Sequence, residues 1–260
     1  TQRFSFVIID FCGLLLLLIF SRYYTEKVLK PIRTAQKKQN EFISAVSHEL
    51  RTPLSVILSS ISAAKNAASV EKDNFYHTVE KEGQRMSVLV NDMLTLAGAD
   101  NHTWSFCMKP TELDTLLLDI YEAFLPLAAD KNIRINVELP ESVIPLCNCD
   151  PSRITQLLGI LISNAISYAG PNASILLSLN YDTPYFYITV SDNGPGIPDD
   201  KKAYIFDRFY RGEDSRSTKE HFGLGLSIAK EIVDAHHGKL EITDTKGGGS
   251  TFVIQLSEKE

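Results

Sequence analysis

Hydrophobic positions change texture three times along the chain, and each texture predicts a different kind of element. Residues Phe4 to Phe20 form a nearly continuous apolar run that includes five consecutive leucines and only one charge, Asp10. A run apolar on every face, close to the roughly 20 residues a bilayer demands, predicts a transmembrane helix at 4–20. A signal peptide fits less well, because no small-residue cleavage site follows and the next segment reads as a charged helix. Arg22, Lys27, Lys30, Arg33, Lys37 and Lys38 come directly after the run. The positive-inside bias then puts everything downstream on the cytoplasmic side. The first residue is Thr1 rather than Met, which suggests a fragment.

Residues 21–40 are polar and helix-favouring, a linker too short for a further sensor domain. Beyond them Ile43, Val46, Leu50, Leu54, Ile57, Ile61 and Ala64 recur at steps of three or four, a narrow amphipathic seam. A break is expected near Ser69 to Asp73. A second helix then carries Phe75, Val79, Met86, Val90, Met93 and Ala97. Two seamed helices with a short connection read as an antiparallel hairpin over 41–100. Two helices cannot enclose a core, so a homodimer forming a four-helix bundle is expected.

After a hinge at 101–109 the texture becomes mixed, over a domain at 110–258. Helices are predicted at Leu113 to Ala129, Ser152 to Tyr168 and about Leu224 to His237. Strands are predicted at Ile133 to Leu139, Ser174 to Leu179, Tyr185 to Ser191, Lys239 to Thr243 and Thr251 to Leu256. A polar loop spans Gly212 to His221. Helices and mostly antiparallel strands in mixed order give an α+β fold, with helices on one face of a sheet.

Composition narrows the function classes. Hydrophobic residues are 44% and charged residues 22% of the chain, enough apolar material for a core. A formal net charge of -6 makes nucleic acid an unsuitable partner. The cysteines Cys12, Cys107, Cys147 and Cys149 do not form separated Cys-x-x-Cys pairs, so a structural zinc site is not expected.

The segment Ser47-His48-Glu49-Leu50-Arg51-Thr52-Pro53-Leu54 carries the densest chemistry. At about 100° per residue, His48 points away from the apolar seam, with Thr52 one turn on along the same face. A neutral imidazole is a nucleophile near neutral pH, and the carboxylate of Glu49 beside it is placed to take up a proton. Pro53 inside the helix removes the hydrogen bond to the Glu49 carbonyl at a cost of about 3 kcal/mol, which suggests a functional kink.

Further on, Asn164 is flanked by Leu157, Leu161 and Tyr168 on a predicted helix, an embedded amide whose oxygen suits a hard cation such as Mg²⁺. Strand alternation puts Asp192 on one face with Phe186, Ile188 and Val190, so an inward carboxylate in need of a partner ends that strand. Gly194 and Gly196 follow it. Gly223-Leu224-Gly225-Leu226-Ser227 opens a helix, where backbone N–H groups and the helix dipole suit phosphate.

This ordered set, from about residue 35 to the end, resembles the membrane-bound sensor histidine kinases of two-component systems. The His48 segment is similar to their H box. The Asn164 segment is similar to the N box, that around Asp192 to the G1 box, Ile205 to Arg211 to the F box and Gly223 to Ser227 to the G2 box. Gly247 to Phe252 is similar to the last glycine-rich turn. The resemblance implies ATP and Mg²⁺ as cofactors, a Bergerat-type α/β sandwich that binds nucleotide, and a bacterial cytoplasmic membrane location with the catalytic part cytoplasmic. It makes His48 the phosphoacceptor, Glu49 the acid/base and Thr52 the residue that positions water for dephosphorylating the partner, a response regulator's receiver domain. It makes Asn164 the Mg²⁺ ligand. The implied nucleotide set is Asn164, Tyr168, Asp192, Gly194, Gly196, Arg211, Gly223, Leu224, Gly225, Leu226 and Thr251. Two departures stand out: Ile160 where many members have Asn, and Ser167 where many have a phosphate-facing Lys. A nucleotide-binding scaffold without phosphotransfer and an ATPase switch of the chaperone or topoisomerase kind stay open at this point.

Overall fold

The computed structural model describes residues 2–66, 69–100, 104–212 and 222–258. The chain begins with α1 (Gln2–Tyr24), a single π-helical turn (Thr25–Leu29) and α2 (Lys30–Asn66). The expected linker at 21–40 is therefore mostly the first turns of the helix that carries His48. Among the described residues no helix is long and apolar enough to cross a membrane. The expected span falls partly on residues 4, 5 and 7–10, whose side chains lie outside the described set. The side chains of Leu14 to Phe20 are all exposed.

α2 packs along α3 (Ser69–Asp100) as a hairpin. Ser69 to Asp73, expected as a break, form the first turn of α3; residues 67 and 68 lie outside the described set. α2 runs through Pro53 as one helix, and the proline ring is buried. The missing N–H at Pro53 leaves the Glu49 carbonyl without its helical donor, which a single residue of a long helix tolerates when its ring gains burial.

Part of each expected seam is exposed in the single chain. On α2, Ala64 is buried, but Ile43, Leu54 and Ile61 are exposed. On α3 the fully buried residues are Leu89 and Leu96, each one position from the expected Val90 and Ala97. The reason is tertiary: Leu89 and Leu96 belong to the same apolar core as the sandwich, which covers a second face of α3.

The sandwich contains β1 (Lys109–Thr111), α4 (Leu113–Asp130), β2 (Arg134–Glu138), β3 (Cys147–Cys149) and α5 (Pro151–Tyr168). There follow β4 (Ser174–Asp182), β5 (Tyr185–Asp192), the short α6 (Asp199–Lys202), α7 (Gly225–Ala235), β6 (Lys239–Asp244) and β7 (Ser250–Ser257). Five strands form one sheet in the order β2-β4-β5-β7-β6, with β2 and β4 parallel and the other pairs antiparallel. α4, α5 and α7 lie on one face of it. The β7 pattern follows from period-2 geometry: Ser250, Phe252, Ile254 and Leu256 face the helices and are buried, and the residues between them are not.

The small β1–β3 ribbon, with Lys109 opposite Cys149, has too few residues to show a period and was not expected. It buries Cys147 and Cys149, both 1% exposed. It also changes the picture of the hinge. From Trp104 onward the supposed hinge is fastened to the sandwich: the Arg153 guanidinium lies 4.8 Å from the Trp104 ring centre, Phe106 meets His236 edge-on at 5.3 Å, and the Cys107 N–H donates to Asp150 at 2.9 Å. Residues 101–103 of the expected hinge lie outside the described set.

Candidate functional site

Helix α5 is the backbone of the site, and its first residues set its register. Asp150 caps it, accepting from the N–H groups of Ser152 at 3.0 Å and Arg153 at 3.2 Å, with Pro151 in the first turn where its missing N–H costs nothing. Burial raises the Asp150 pKa, but the Ser152 hydroxyl and the N–H groups of Cys107, Arg153 and Ser152 outweigh it and hold the carboxyl at about 2. The cap fixes which face of α5 enters the core. Ile154, Leu157, Leu158, Leu161 and Ile162 do so, with no exposure at all. Ile160, Ser163, Asn164 and Ser167 occupy the other side and border a cavity of about 990 Å³. Asn164 is thus half-buried against open space and not embedded as expected: it stands at the edge where the core side of α5, with Leu157 and Leu161, meets the cavity side, and Tyr168 borders the cavity with it.

Asp192 enters the cavity from the end of β5, where Phe186, Ile188 and Val190 precede it, all buried on the core face. It accepts from the Gly194 N–H at 2.8 Å and from the backbone N–H of Ser250. Burial pushes its pKa up, and the two N–H donors oppose that rise. The Ser250 bond requires β7 to start hard against β5. A Cβ on Gly249, whose φ is +104°, would lie 2.0 Å from the Asp192 carbonyl oxygen, so only glycine fits there.

Eight residues singled out from sequence converge on this cavity: Asn164, Tyr168, Asp192, Gly196, Arg211, Gly223, Gly225 and Leu226. Three do not border it. Gly194 is packed against the end of α5, where an added Cβ would sit 2.6 Å from the Ala169 Cα. Leu224 is 1% exposed and belongs to the core. Thr251 faces the far side of the sheet, where its hydroxyl donates to Ser191 at 2.9 Å; Ser250 and Phe252 take its place at the cavity. Strand alternation alone separates Thr251 from its neighbours, so that signal was present in the sequence. The loop 213–221 lies outside the described residues.

Sequence reasoning also missed Val88 and Asp92, which come from the hairpin helix α3 and close one side of the cavity. Burial pushes the Asp92 carboxyl up to about 6. Nothing in the local pattern of α3 announces a wall residue for another domain.

His48 is exposed on α2, and Glu49 beside it is half-buried. Thr52 is exposed one turn later, and its hydroxyl leans back toward the His48 carbonyl at 3.4 Å, a weak contact. None of the three borders the cavity. The two regions nonetheless touch. The Phe42 ring meets Phe209 with centroids 5.5 Å apart, the Arg208 guanidinium sits 5.6 Å from the Phe42 ring centre, and Arg85 of α3 lies 4.6 Å from the Phe222 ring centre.

Comparison with known proteins fits both halves. Residues 38–102 match the His Kinase A (phospho-acceptor) domain. Residues 149–260 match the family described as histidine kinase-, DNA gyrase B-, and HSP90-like ATPase. The chain belongs to the sensor histidine kinases. The sensor histidine kinase RppB of Synechocystis is 34% identical over 88% of this chain and 51% of its own length. The chain spans about half the length of that relative and 25% to 37% of TmoS and the Bacillus subtilis WalK. Full-length ShkA in complex with AMPPNP is similar in structure, with a TM-score of 0.64 and 26% identity over 83% of this chain and 45% of that one. The histidine kinase ThkA, in complex with the response regulator TrrA, shares the fold, with a TM-score of 0.70 and 22% identity over 92% of this chain and 66% of that one. In this histidine kinase chain the two matched domains coincide with the hairpin and the sandwich.

Proposed function

We propose that this chain is the catalytic portion of a sensor histidine kinase that phosphorylates itself on His48 from ATP and hands the phosphoryl group to an aspartate of a response regulator. One observation carries the reading: an exposed histidine with an adjacent carboxylate stands on a helix hairpin whose own chain supplies a nucleotide-sized cavity. A volume of about 990 Å³ is at the upper end of small-molecule sites. The donors bordering it suit Mg-ATP. Asp192 would accept from the adenine amino group, and the first turn of α7 would face phosphate oxygens. The Asn164 amide oxygen would hold Mg²⁺, which supplies charge neutralisation at the phosphates.

The transfer itself needs the chain to rearrange, since His48 does not border the cavity. In the productive arrangement His48 Nε2 forms a bond to the γ-phosphorus while the bond from that phosphorus to the bridging oxygen breaks. ADP leaves, and the imidazole proton passes to Glu49. Positioning and charge neutralisation supply most of such a rate. Thr52, exposed one turn on, would orient the water that hydrolyses the phosphoaspartate of the regulator.

Two further parts belong to the same reading. The exposed apolar side chains of Ile43, Leu54, Leu58 and Ile61 on α2 and Val90 and Leu94 on α3 support pairing with a second copy. The exposed run Leu14 to Phe20 supports a bilayer around residues 4–20, with the catalytic part on the cytoplasmic side.

Incubation with γ-labelled ATP tests the central claim. An acid-labile, alkali-stable label is expected, and His48→Gln abolishes it. Steady hydrolysis that persists in His48→Gln with no protein-bound label would instead mark an ATPase switch; binding without label or hydrolysis would mark a scaffold.

A further inference from the structure

The face that α3 turns to the sandwich is chemically unusual. Glu82, Arg85, Leu89, Asp92 and Leu96 follow one another at steps of three and four, a single stripe along the helix. Leu89 and Leu96 are fully buried in the shared core. The other three are ionisable. Among the described residues Glu82 Oε2 and Arg85 Nε are buried without hydrogen-bond partners, and the ion pair between the two residues is stretched to 3.7 Å. Asp92 borders the nucleotide cavity. A contact surface that traps charge in this way is costly to keep closed.

The position of Asp92 gives that cost a direction. α3 packs on α7. Asp92 shares the cavity with Gly225 and Leu226 of the first turn of α7, where helix N–H groups favour phosphate. Among the described residues, the other charged side chains around the cavity are Asp192 on β5, Lys201 on α6 and Arg211. A carboxylate from the hairpin therefore borders the same cavity as the first turn of α7, whose donors are arranged for anions.

We propose that Asp92 is an electrostatic gate, a carboxylate lent by the hairpin to the wall of the nucleotide cavity, which weakens nucleotide binding as long as the sandwich stays docked on α3. The proposal rests on the nucleotide reading given above. Nucleotide binding and release of the sandwich from α3 become linked events: phosphate charge in the cavity favours separation, and separation restores water to Glu82, Arg85 and Asp92. Asp92 acts on affinity and touches no reacting atom.

The test is equilibrium binding of Mg-AMPPNP to the full 260-residue chain in detergent, by titration calorimetry at low and high salt. Asp92→Asn and Asp92→Ser should each tighten binding about tenfold at low salt, the scale of one removed charge facing several phosphate charges across a partly wet site. High salt should shrink that gain. Asp92→Glu keeps the charge and should stay within about twofold of the unsubstituted chain at either salt. Unchanged or weaker binding in Asp92→Asn and Asp92→Ser overturns the gate and leaves the nucleotide reading standing. Equal tightening by Asp92→Glu overturns it too, since the effect would then come from shape. No binding by any of the proteins would remove both the gate and the nucleotide reading.

Discussion

The sandwich and the hairpin solve the problem of apolar surface in opposite ways. In the sandwich, Leu117, Ile154, Leu157, Leu158, Leu161, Ile175, Leu177 and Phe186 have no exposure, and α4, α5 and α7 have a sheet to cover. In the hairpin, Leu58 is 58% exposed and Leu94 is 66% exposed, although both stand on helices that fold without a break. The sandwich is closed within one chain and works as a rigid holder. The hairpin leaves apolar side chains exposed along one side and, through Leu89 and Leu96, leans on the sandwich along another. A part with two unfinished surfaces can answer to two inputs, which is what a signalling stem requires.

The sharpest way to break this comparison is to attack the holder at its tightest joint. Gly249→Ala puts a Cβ 2.0 Å from the Asp192 carbonyl oxygen and forces a side chain into φ +104°. It should cost about 4 kcal/mol or more and separate β7 from β5. Circular dichroism should show lost strand signal with the hairpin helices kept. An unchanged melting temperature would mean that the join between β5 and β7 is looser than described. Next in size, Leu158→Ala leaves a cavity in a fully buried site and should cost about 2–5 kcal/mol, independent of protein concentration.

The matching substitution in the hairpin is Leu58→Ala. It should leave the stability of the single chain within about 0.5 kcal/mol, because the side chain is already in water there. Its effect should appear in dimerisation: sedimentation should show weaker self-association, and the melting temperature should rise less with concentration than that of the unsubstituted chain. Loss of stability at every concentration, as for Leu158→Ala, would erase the distinction between the two regions.

The same contrast explains what the sequence revealed. In the sandwich, strand alternation gave β4, β5, β6 and β7 to within a few residues, since each strand is read against one sheet face. It also put Asp192 on the face where it sits. In the hairpin, the periodicity gave two helices but located the buried stripe on α3 one residue away from Leu89 and Leu96. A helical pattern reports how many faces are apolar, not which partner covers each of them. Thr251 was misplaced for a different reason: a motif identifies a segment, and only alternation within β7 separates Ser250 and Phe252 from Thr251. Asp92 was invisible because its role depends on a contact between elements far apart in the chain.

A pH-dependent effect comes from the joint between the sandwich and the segment that follows the hairpin. His236 is 4% exposed; its Nε2 accepts from the Asp150 N–H at 3.0 Å, and its Nδ1 is 2.8 Å from the Ile232 carbonyl. The ring is therefore held neutral, with the proton on Nδ1, and burial lowers its pKa. The folded state then binds fewer protons than the unfolded one, so stability is lost as pH falls below about 6.5, the ordinary histidine value. Asp150, held at about 2, acts in the same direction over a lower range, where stability drains away as pH falls from about 4 toward 2. Its share is about 1–2 kcal/mol after solvent screening. Urea unfolding should thus weaken in two separate steps on acidification. His236→Gln keeps an acceptor for the Asp150 N–H but cannot titrate, so it should flatten the upper step and spare the lower one. Asp150→Asn should do the reverse. It should also loosen the segment from Trp104 to Thr111, because the Cys107 N–H loses its carboxylate, and amide exchange at Cys107 should rise. Two steps that disappear together in either variant would show that the cap and the histidine form one cooperative unit, and the sandwich would then be tied to the segment after the hairpin by a single fastening.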